Sequence, residues 1–258
     1  MLDIFKIPLY YIGFDRNKKL EVNLKKVGFT NVNYFKAIDG RKMNREKLLS
    51  ENLISIRAYR DLKHGRDDFS GISSMGTIGC TLSHLKLWKK CAKSLDHIII
   101  AEDDLFLPQL SKKDIQNIQT SISKPKGAFV STYVKKGQKF MRGLHFYILS
   151  KEAAYELQKN ALPIEIQTDV YVATMNNTNQ ISVEGYKIGT QTRNSILDGS
   201  TGDGLSCIKC ILPKGWSFYI GVVLGIIVII ILLIVYFKKW RSTKFQLDSC
   251  RSSMSNMD

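Results

Sequence analysis

HIIIAEDDLFL, residues 97–107, is the stretch on which the fold turns. Ile98, Ile99, Ile100 and Ala101 are apolar in succession, with no polar residue between them. A strand that is apolar on both faces must be covered on both, as in the centre of an α/β sheet. The run passes directly into Glu102, Asp103 and Asp104. Like charges crowded at the edge of a hydrophobic core resist ionising together unless a cation neutralises them. In open α/β sheets ligands bind beyond the carboxyl ends of the strands, where these acids fall. Carboxylate oxygens suit magnesium or manganese, which take phosphate oxygens as further ligands. Asp103 and Asp104 are therefore the candidate metal ligands. Glu102, one step nearer the strand, either orients a loop or contacts a bound molecule. A metal–diphosphate site of this kind fits a nucleotide-sugar. Glycoside hydrolysis fits less well, because its two carboxyl groups straddle the scissile bond about 5–9.5 Å apart. The competing reading of the three acids is a solvated turn.

Upstream, residues 80–95 carry Leu82, Leu85, Trp88, Ala92 and Leu95 at spacings of three and four, the pattern of an amphipathic helix. Gly76 and Gly79 stand at its entry; they either bring backbone amides close to a phosphate or form a plain turn. His84 lies inside this helix, as a hydrogen-bonded half-buried residue or as part of a pocket. Residues 60–77 are polar and glycine-bearing and read as an exposed loop. Residues 46–56 read as a helix. At the N-terminus a strand over 5–13, a helix over 17–27 stopped by Gly28, and a strand over 31–38 form a βαβ unit, which implies a parallel pair. Downstream, 128–134, 145–149 and 181–188 read as strands, and 151–160 and 168–175 as helices. The pattern is that of a mostly parallel α/β sheet flanked by helices. His145 reads as structural. Asp169 heads the last helix, where a negative charge suits the dipole or serves as a general base.

The chain has 258 residues, 44% of them hydrophobic, and a net charge of +15. Residues 1–197 form one domain, 198–215 a Gly-, Asp- and Ser-bearing linker, 216–237 an apolar run and 238–258 a short basic tail. The run is uncharged, matches the ~20 residues that cross ~30 Å of hydrocarbon, and has Trp216, Tyr219, Tyr236 and Trp240 near its ends. It is expected to be a single transmembrane helix, a C-terminal anchor. Two signals place the domain on opposite sides of the membrane. A poor N-terminal signal segment favours the cytosol, whereas Lys238, Lys239 and Arg241 after the helix favour a cytosolic tail. The sequon Asn176-Asn177-Thr178 matters only for a lumenal domain. The lysines are scattered, without a basic-aromatic run, which argues against a nucleic-acid partner. Five cysteines form no disulfide framework. Cys80 and Cys91 read as core, Cys207 and Cys210 as a local disulfide or a chance pair, and Cys250 as a palmitoylation candidate.

Several segments, in order, resemble glycosyltransferase family 25, the lipooligosaccharide-type and collagen galactosyltransferases. YYIGFDR at 10–16 is similar to the family's strand ending in Asn-Leu-Asp-Arg, with Gly13 where the family has asparagine. FKAIDGRKM at 35–43 resembles its Ala-x-Asp-Gly motif, and GTIGCTLSHLKLW at 76–88 its Gly-x-x-Gly-Cys-x-x-Ser-His-x-x-x-Trp stretch. IIIAEDDLFL at 98–107 resembles the Glu-Asp-Asp motif, and GLHFYILSKEAAYEL at 143–157 its strand-then-helix segment. Residues 168–171 and 191–196 resemble its closing motifs. The resemblance implies a GT-A-like (Rossmann-like) fold, a UDP-sugar donor, galactose or another hexose, and inverting transfer to a hydroxyl of a glycan or glycoprotein, with a divalent metal such as manganese. It implies Asp103 and Asp104 at the metal, Asp15 and Arg16 near the nucleotide, and Asp39, Gly40, Ser83 and His84 around the donor. Glu102 and Asp169 are the catalytic candidates. The alternative is an inactive membrane-anchored protein of the same fold that binds a glycan or nucleotide-sugar.

Overall fold

The computed structural model describes residues 2–64, 71–131, 143–186 and 188–191, all within the first of two compact units, Met1–Gly202. The linker, the apolar run at 216–237, the basic tail, Cys207, Cys210 and Cys250 lie outside the described residues. Among the described residues no helix is long and apolar enough to cross a membrane.

The N-terminal βαβ unit forms as expected: β1 (Leu9–Gly13), α1 (Lys18–Val27) and β2 (Val32–Lys36). Asn17 caps α1 by accepting from the Leu20 N–H, and Leu20, Leu24 and Val27 are its buried face. The first strand is shorter than its apolar pattern. A 3-10 turn at Ile4–Lys6, capped by Asp3, occupies the start of that stretch. The expected 46–56 helix is two helices, α2 (Arg45–Ser50) and α3 (Ile56–His64), separated by Asn52 at a positive φ of 55°. The second of them takes up the start of the stretch expected to be a loop. The long helix also begins earlier than its hydrophobic pattern: α4 spans Met75–Ser94, with Ser74 accepting from the Thr77 N–H as its cap.

β3 (His97–Glu102) follows, then a short β4 (Leu105–Phe106). α5 (Lys112–Ile122) starts with a capping box between Ser111 and Asp114. β5 (Gly127–Val130), β6 (Phe146–Ser150), α6 (Lys151–Lys159), α7 (Thr168–Asn177), β7 (Ser182–Glu184) and β8 (Thr190–Gln191) complete the order.

The main sheet has the order β2-β1-β3-β6-β5-β7, and β4 pairs with β8 in a separate two-stranded sheet. β2, β1 and β3 are mutually parallel, as are β5 and β7, while β6 is antiparallel to both β3 and β5. Five strands thus run one way and β6, near the middle, runs the other. Alternate residues of β3 point to opposite faces, and both sets are buried. Ile98 and Ile100 join Leu85, Trp88 and Cys91 of α4 and Ala153, Ala154 and Leu157 of α6. Ile99 and Ala101 join Leu20, Leu24 and Val27 of α1 and Ile118 and Ile122 of α5. The triple isoleucine therefore has the covered, central position that its composition requires. A smaller core of Leu48, Ile54, Ala58, Ile72, Ile78 and Ile164 joins α2 and α3 to the start of α4.

Candidate functional site

The same alternation places the first acid. Glu102 continues the face of Ile98 and Ile100, so its side chain meets α4. There His84 Nε2 lies 3.8 Å from Glu102 Oε1. The antiparallel register that pairs Ala101 with Phe146 sets His145 opposite Glu102, whose N–H donates to the His145 carbonyl at 3.0 Å. Facing residues of adjacent strands share a side of the sheet. His145 Nδ1 accordingly lies 2.6 Å from Glu102 Oε2. Behind His84, its Nδ1 is 2.6 Å from the Tyr147 hydroxyl, which also accepts the Trp88 indole N–H at 2.9 Å. Trp88, Tyr147 and His84 are all buried.

Burial by itself would raise the Glu102 carboxyl. The hydrogen bonds from His145 and His84 outweigh that and hold it well below the usual carboxylate range. Burial would lower the His145 imidazole, and its hydrogen bond to Glu102 outweighs this and raises it. A raised histidine stabilises the fold at pH below its ordinary value near 6.5, and that contribution is lost as pH rises through the raised value. A depressed carboxylate stabilises above its ordinary 4.5 and loses the contribution as pH falls through its folded value. In chelator, the free energy of urea unfolding is therefore expected to fall as pH rises above the ordinary histidine value near 6.5. Glu102→Gln should flatten that slope. An unchanged slope in the variant would remove the pair from the pH dependence.

The second acid turns towards β1. A Cβ placed on Gly13 would sit 2.9 Å from both Cβ and Oδ2 of Asp103, so the glycine at this position makes room for the aspartate. Asn17 fastens the same corner, its Nδ2 donating to the Asp103 carbonyl at 2.8 Å while its Oδ1 caps α1. The third acid, Asp104, forms a group with Glu102 and His145 in which ligand atoms all lie within 4.8 Å of one another. Cys80, His84 and Glu102 form a second such group. Glu102 belongs to both, and Asp103 to neither. Two carboxylates and an imidazole are a donor set for a hard or borderline divalent cation such as manganese, so the first group fits the metal expected at this corner.

An open cleft of about 850 Å³, solvent included, adjoins these groups. Its walls include Gly13, Phe14, Arg41, Cys80, His84 and all three acids. Phe14 is 39% exposed, and the Arg41 guanidinium lies 5.0 Å from its ring centroid. Asp39 holds that guanidinium in two contacts, 2.8 Å from Nε and 3.2 Å from the terminal nitrogen. Arg41 in turn keeps the Asp39 carboxyl below the usual range.

The other expected residues divide by position. Ser83 is fully buried. It accepts from the Ile38 N–H at 2.9 Å and donates to the Gly79 carbonyl at 2.7 Å, clamping the segment after β2 onto α4. Gly40 meets α4 backbone to backbone: an added Cβ would lie 1.8 Å from the Met75 carbonyl oxygen. Ser83 lines the cleft, and Gly40 is absent from its wall. Asp15 and Arg16 are exposed and are absent from the cleft wall. Arg16 pairs with Glu21, at 2.7 and 3.2 Å. Asp169 is also absent from the cleft wall, though its charge acts on His145 and Cys80; its Oδ2 accepts from Gly143 N–H at 3.0 Å and its Oδ1 from its own helix's Val170 N–H at 2.8 Å. Cys80 is half-buried and borders the cleft, whereas Cys91 is core. Burial pushes both thiols up. Arg41, His145 and Cys80 are the site residues that the sequence pattern did not single out. The neighbour of Asp39-Gly40 and a histidine at a strand entry were the available signals.

The description of glycosyltransferase family 25 (LPS biosynthesis protein) matches residues 13–198 of this chain. The chain belongs to glycosyltransferase family 25. The resemblance carried by the motifs between residues 10 and 196 therefore stands. A glycosyltransferase 25 family member of Aedes aegypti is 32% identical over 104 residues, 40% of this chain and 16% of the mosquito protein. One from Drosophila melanogaster is 33% identical over 92 residues, 35% of this chain and 14% of the fly protein. Procollagen galactosyltransferase 2 of Mus musculus is 29% identical over 94 residues, 36% of this chain and 14% of the mouse protein. The family 25 chain thus matches only 14–16% of the length of these curated relatives. Among solved structures, mouse xyloside xylosyltransferase 1 in its apo form covers 72% of this chain and 73% of its own, at 7% identity and a TM-score of 0.35.

Proposed function

We propose that this family 25 chain is a metal-dependent, inverting hexosyltransferase of GT-A-like fold. In this reading it moves galactose or another hexose from a UDP-sugar to a hydroxyl of a glycan or glycoprotein. The observation that carries the reading is the convergence of Glu102, Asp104 and His145 at the carboxyl end of β3, beside the cleft bordered by Phe14 and Arg41. Family membership and a relative named for galactosyl transfer support the reaction class. Residues 216–237 supply the single membrane anchor in this reading.

Glu102, Asp104 and His145 would hold a manganese ion, with Asp103 beside them facing the donor. Bound there, the cation supplies positive charge to the departing diphosphate. Arg41, kept in place by Asp39, offers a fork of N–H donors to the same phosphate oxygens, and the exposed face of Phe14 lies next to it. The acceptor hydroxyl oxygen forms the new bond to the anomeric carbon as the bond to the diphosphate oxygen breaks on the opposite side. Asp169 takes the hydroxyl proton. Its two backbone hydrogen bonds fix the carboxylate and leave lone pairs for that proton.

Asp104→Asn keeps the size of the side chain and removes its charge. Manganese-dependent UDP-sugar turnover by the purified chain is expected to drop about 10²–10³-fold, with an unchanged circular dichroism spectrum. Full turnover in the variant, still abolished by chelator, would move the metal elsewhere.

A further inference from the structure

Glu102 has a second side. Cys80 and His84 stand one helical turn apart on α4, where residues four apart share a face. Cys80 Sγ, a ring nitrogen of His84 and a Glu102 oxygen lie within 4.8 Å of one another, and all three residues border the cleft. We propose that Cys80, His84 and Glu102 form a binding site for a thiophilic divalent cation of the zinc type.

The ligand chemistry sets this site apart from its neighbour. A thiolate is a soft donor that manganese and magnesium do not favour and zinc does. One sulfur, one imidazole nitrogen and one carboxylate oxygen give the three protein ligands of an open zinc site, with water from the cleft as the fourth. Zinc holds such ligands at about 2.0–2.3 Å, so binding would draw together atoms that already stand within 4.8 Å of one another. The imidazole is already aimed. Tyr147, itself fixed by Trp88, holds Nδ1 at 2.6 Å and leaves Nε2 directed at Glu102, 3.8 Å away. Such outer contacts typically orient a metal-binding histidine. Binding forms a metal–sulfur bond and releases the Cys80 thiol proton to solvent.

The site has a consequence that rests on the function proposed above. One carboxylate serves both groups, so a soft cation on the Cys80 side draws Glu102 from Asp104 and His145. Zinc binds shared donors more tightly than manganese does. Zinc therefore acts as an inhibitor that excludes manganese rather than replacing it.

Cadmium alone, titrated into the full chain after chelator treatment, tests the site without any substrate. Its ultraviolet thiolate-to-cadmium band is read as the difference between wild type and Cys80→Ser, which cancels the other cysteines. A saturable difference band is expected, and Tyr147→Phe should weaken the cadmium affinity about 10–100-fold. Bound cadmium should also protect Cys80 of the wild-type chain from alkylation, as mapped by mass spectrometry. Coincident wild-type and Cys80→Ser spectra, or alkylation of Cys80 that cadmium does not slow, would overturn the site. Manganese added to the titration should push the cadmium midpoint upward. A Cys80-dependent band that manganese leaves in place upholds the soft site and refutes the manganese site instead.

Discussion

Gly40→Ala is expected to destabilise the chain by about 3 kcal/mol or more, the upper end for overpacking. The corresponding fall in Tm is about 6–12 °C, at ~2–4 °C per kcal/mol in a domain of this size. The added methyl would lie 1.8 Å from the Met75 carbonyl oxygen and 2.7 Å from the Gly79 nitrogen. Both are main-chain atoms, so no side-chain rotation relieves the overlap. A Cβ on Gly79 would meet Ile38 O at 2.3 Å and Gly40 N at 2.5 Å from the other side. The two glycines let the segment after β2 cross the first turns of α4 at main-chain contact. Ser83 fastens the same crossing through Ile38. Val22→Ala, on the exposed side of α1, is the comparison and should stay within about 0.5 kcal/mol of wild type. Urea and thermal unfolding read both. A Gly40→Ala chain as stable as Val22→Ala would mean that the crossing can open without loss.

Glu102→Gln should lower UDP-sugar turnover by about 10²–10³-fold at saturating manganese. The substitution keeps the shape of the side chain and removes the charge that sits between two imidazoles. His145 then loses the partner that raises it, and the cation group loses one of its two carboxylates. The manganese concentration needed for half-maximal turnover should rise as kcat falls. A purely structural role would lower the yield of folded protein and leave that midpoint unchanged. Measuring kcat and the manganese midpoint on protein matched for circular dichroism distinguishes the two.

How far the sequence foretold this arrangement depends on where each interaction originates. The β3 strand, α1 and α6 were legible because their signals are local: an unbroken apolar run, a 3-4 spacing, a terminal glycine. The position of the acids followed from β3, since they are its continuation. The start of α4 was not legible by hydrophobic spacing. Its first turn, with Met75, Gly76 and Thr77, is bound by the Ser74 cap and by main-chain contact with Gly40. Residues 112–122 carry a local start signal, Ser111 with Asp114, ahead of Ile115, Ile118 and Ile122. The role of His145 was hidden for a different reason. It depends on β6 running against its neighbours, and strand direction leaves no mark in a five-residue apolar segment. Read as one more parallel strand, it would deliver its entry to the far end of the sheet. The Arg16 motif gave no sign of its local partner: Glu21, five residues on, pairs with it.

The order β2-β1-β3-β6-β5-β7 also governs how the chain is made. β3 receives its first neighbour, β1, from earlier in synthesis, and its second, β6, only after residue 150. Until then β3, whose Ile98–Ala101 core is buried in the finished sheet, has one bare edge, the kind of template on which chains join to one another. A chain cut short before residue 145 is therefore expected to aggregate more readily than one that includes β6.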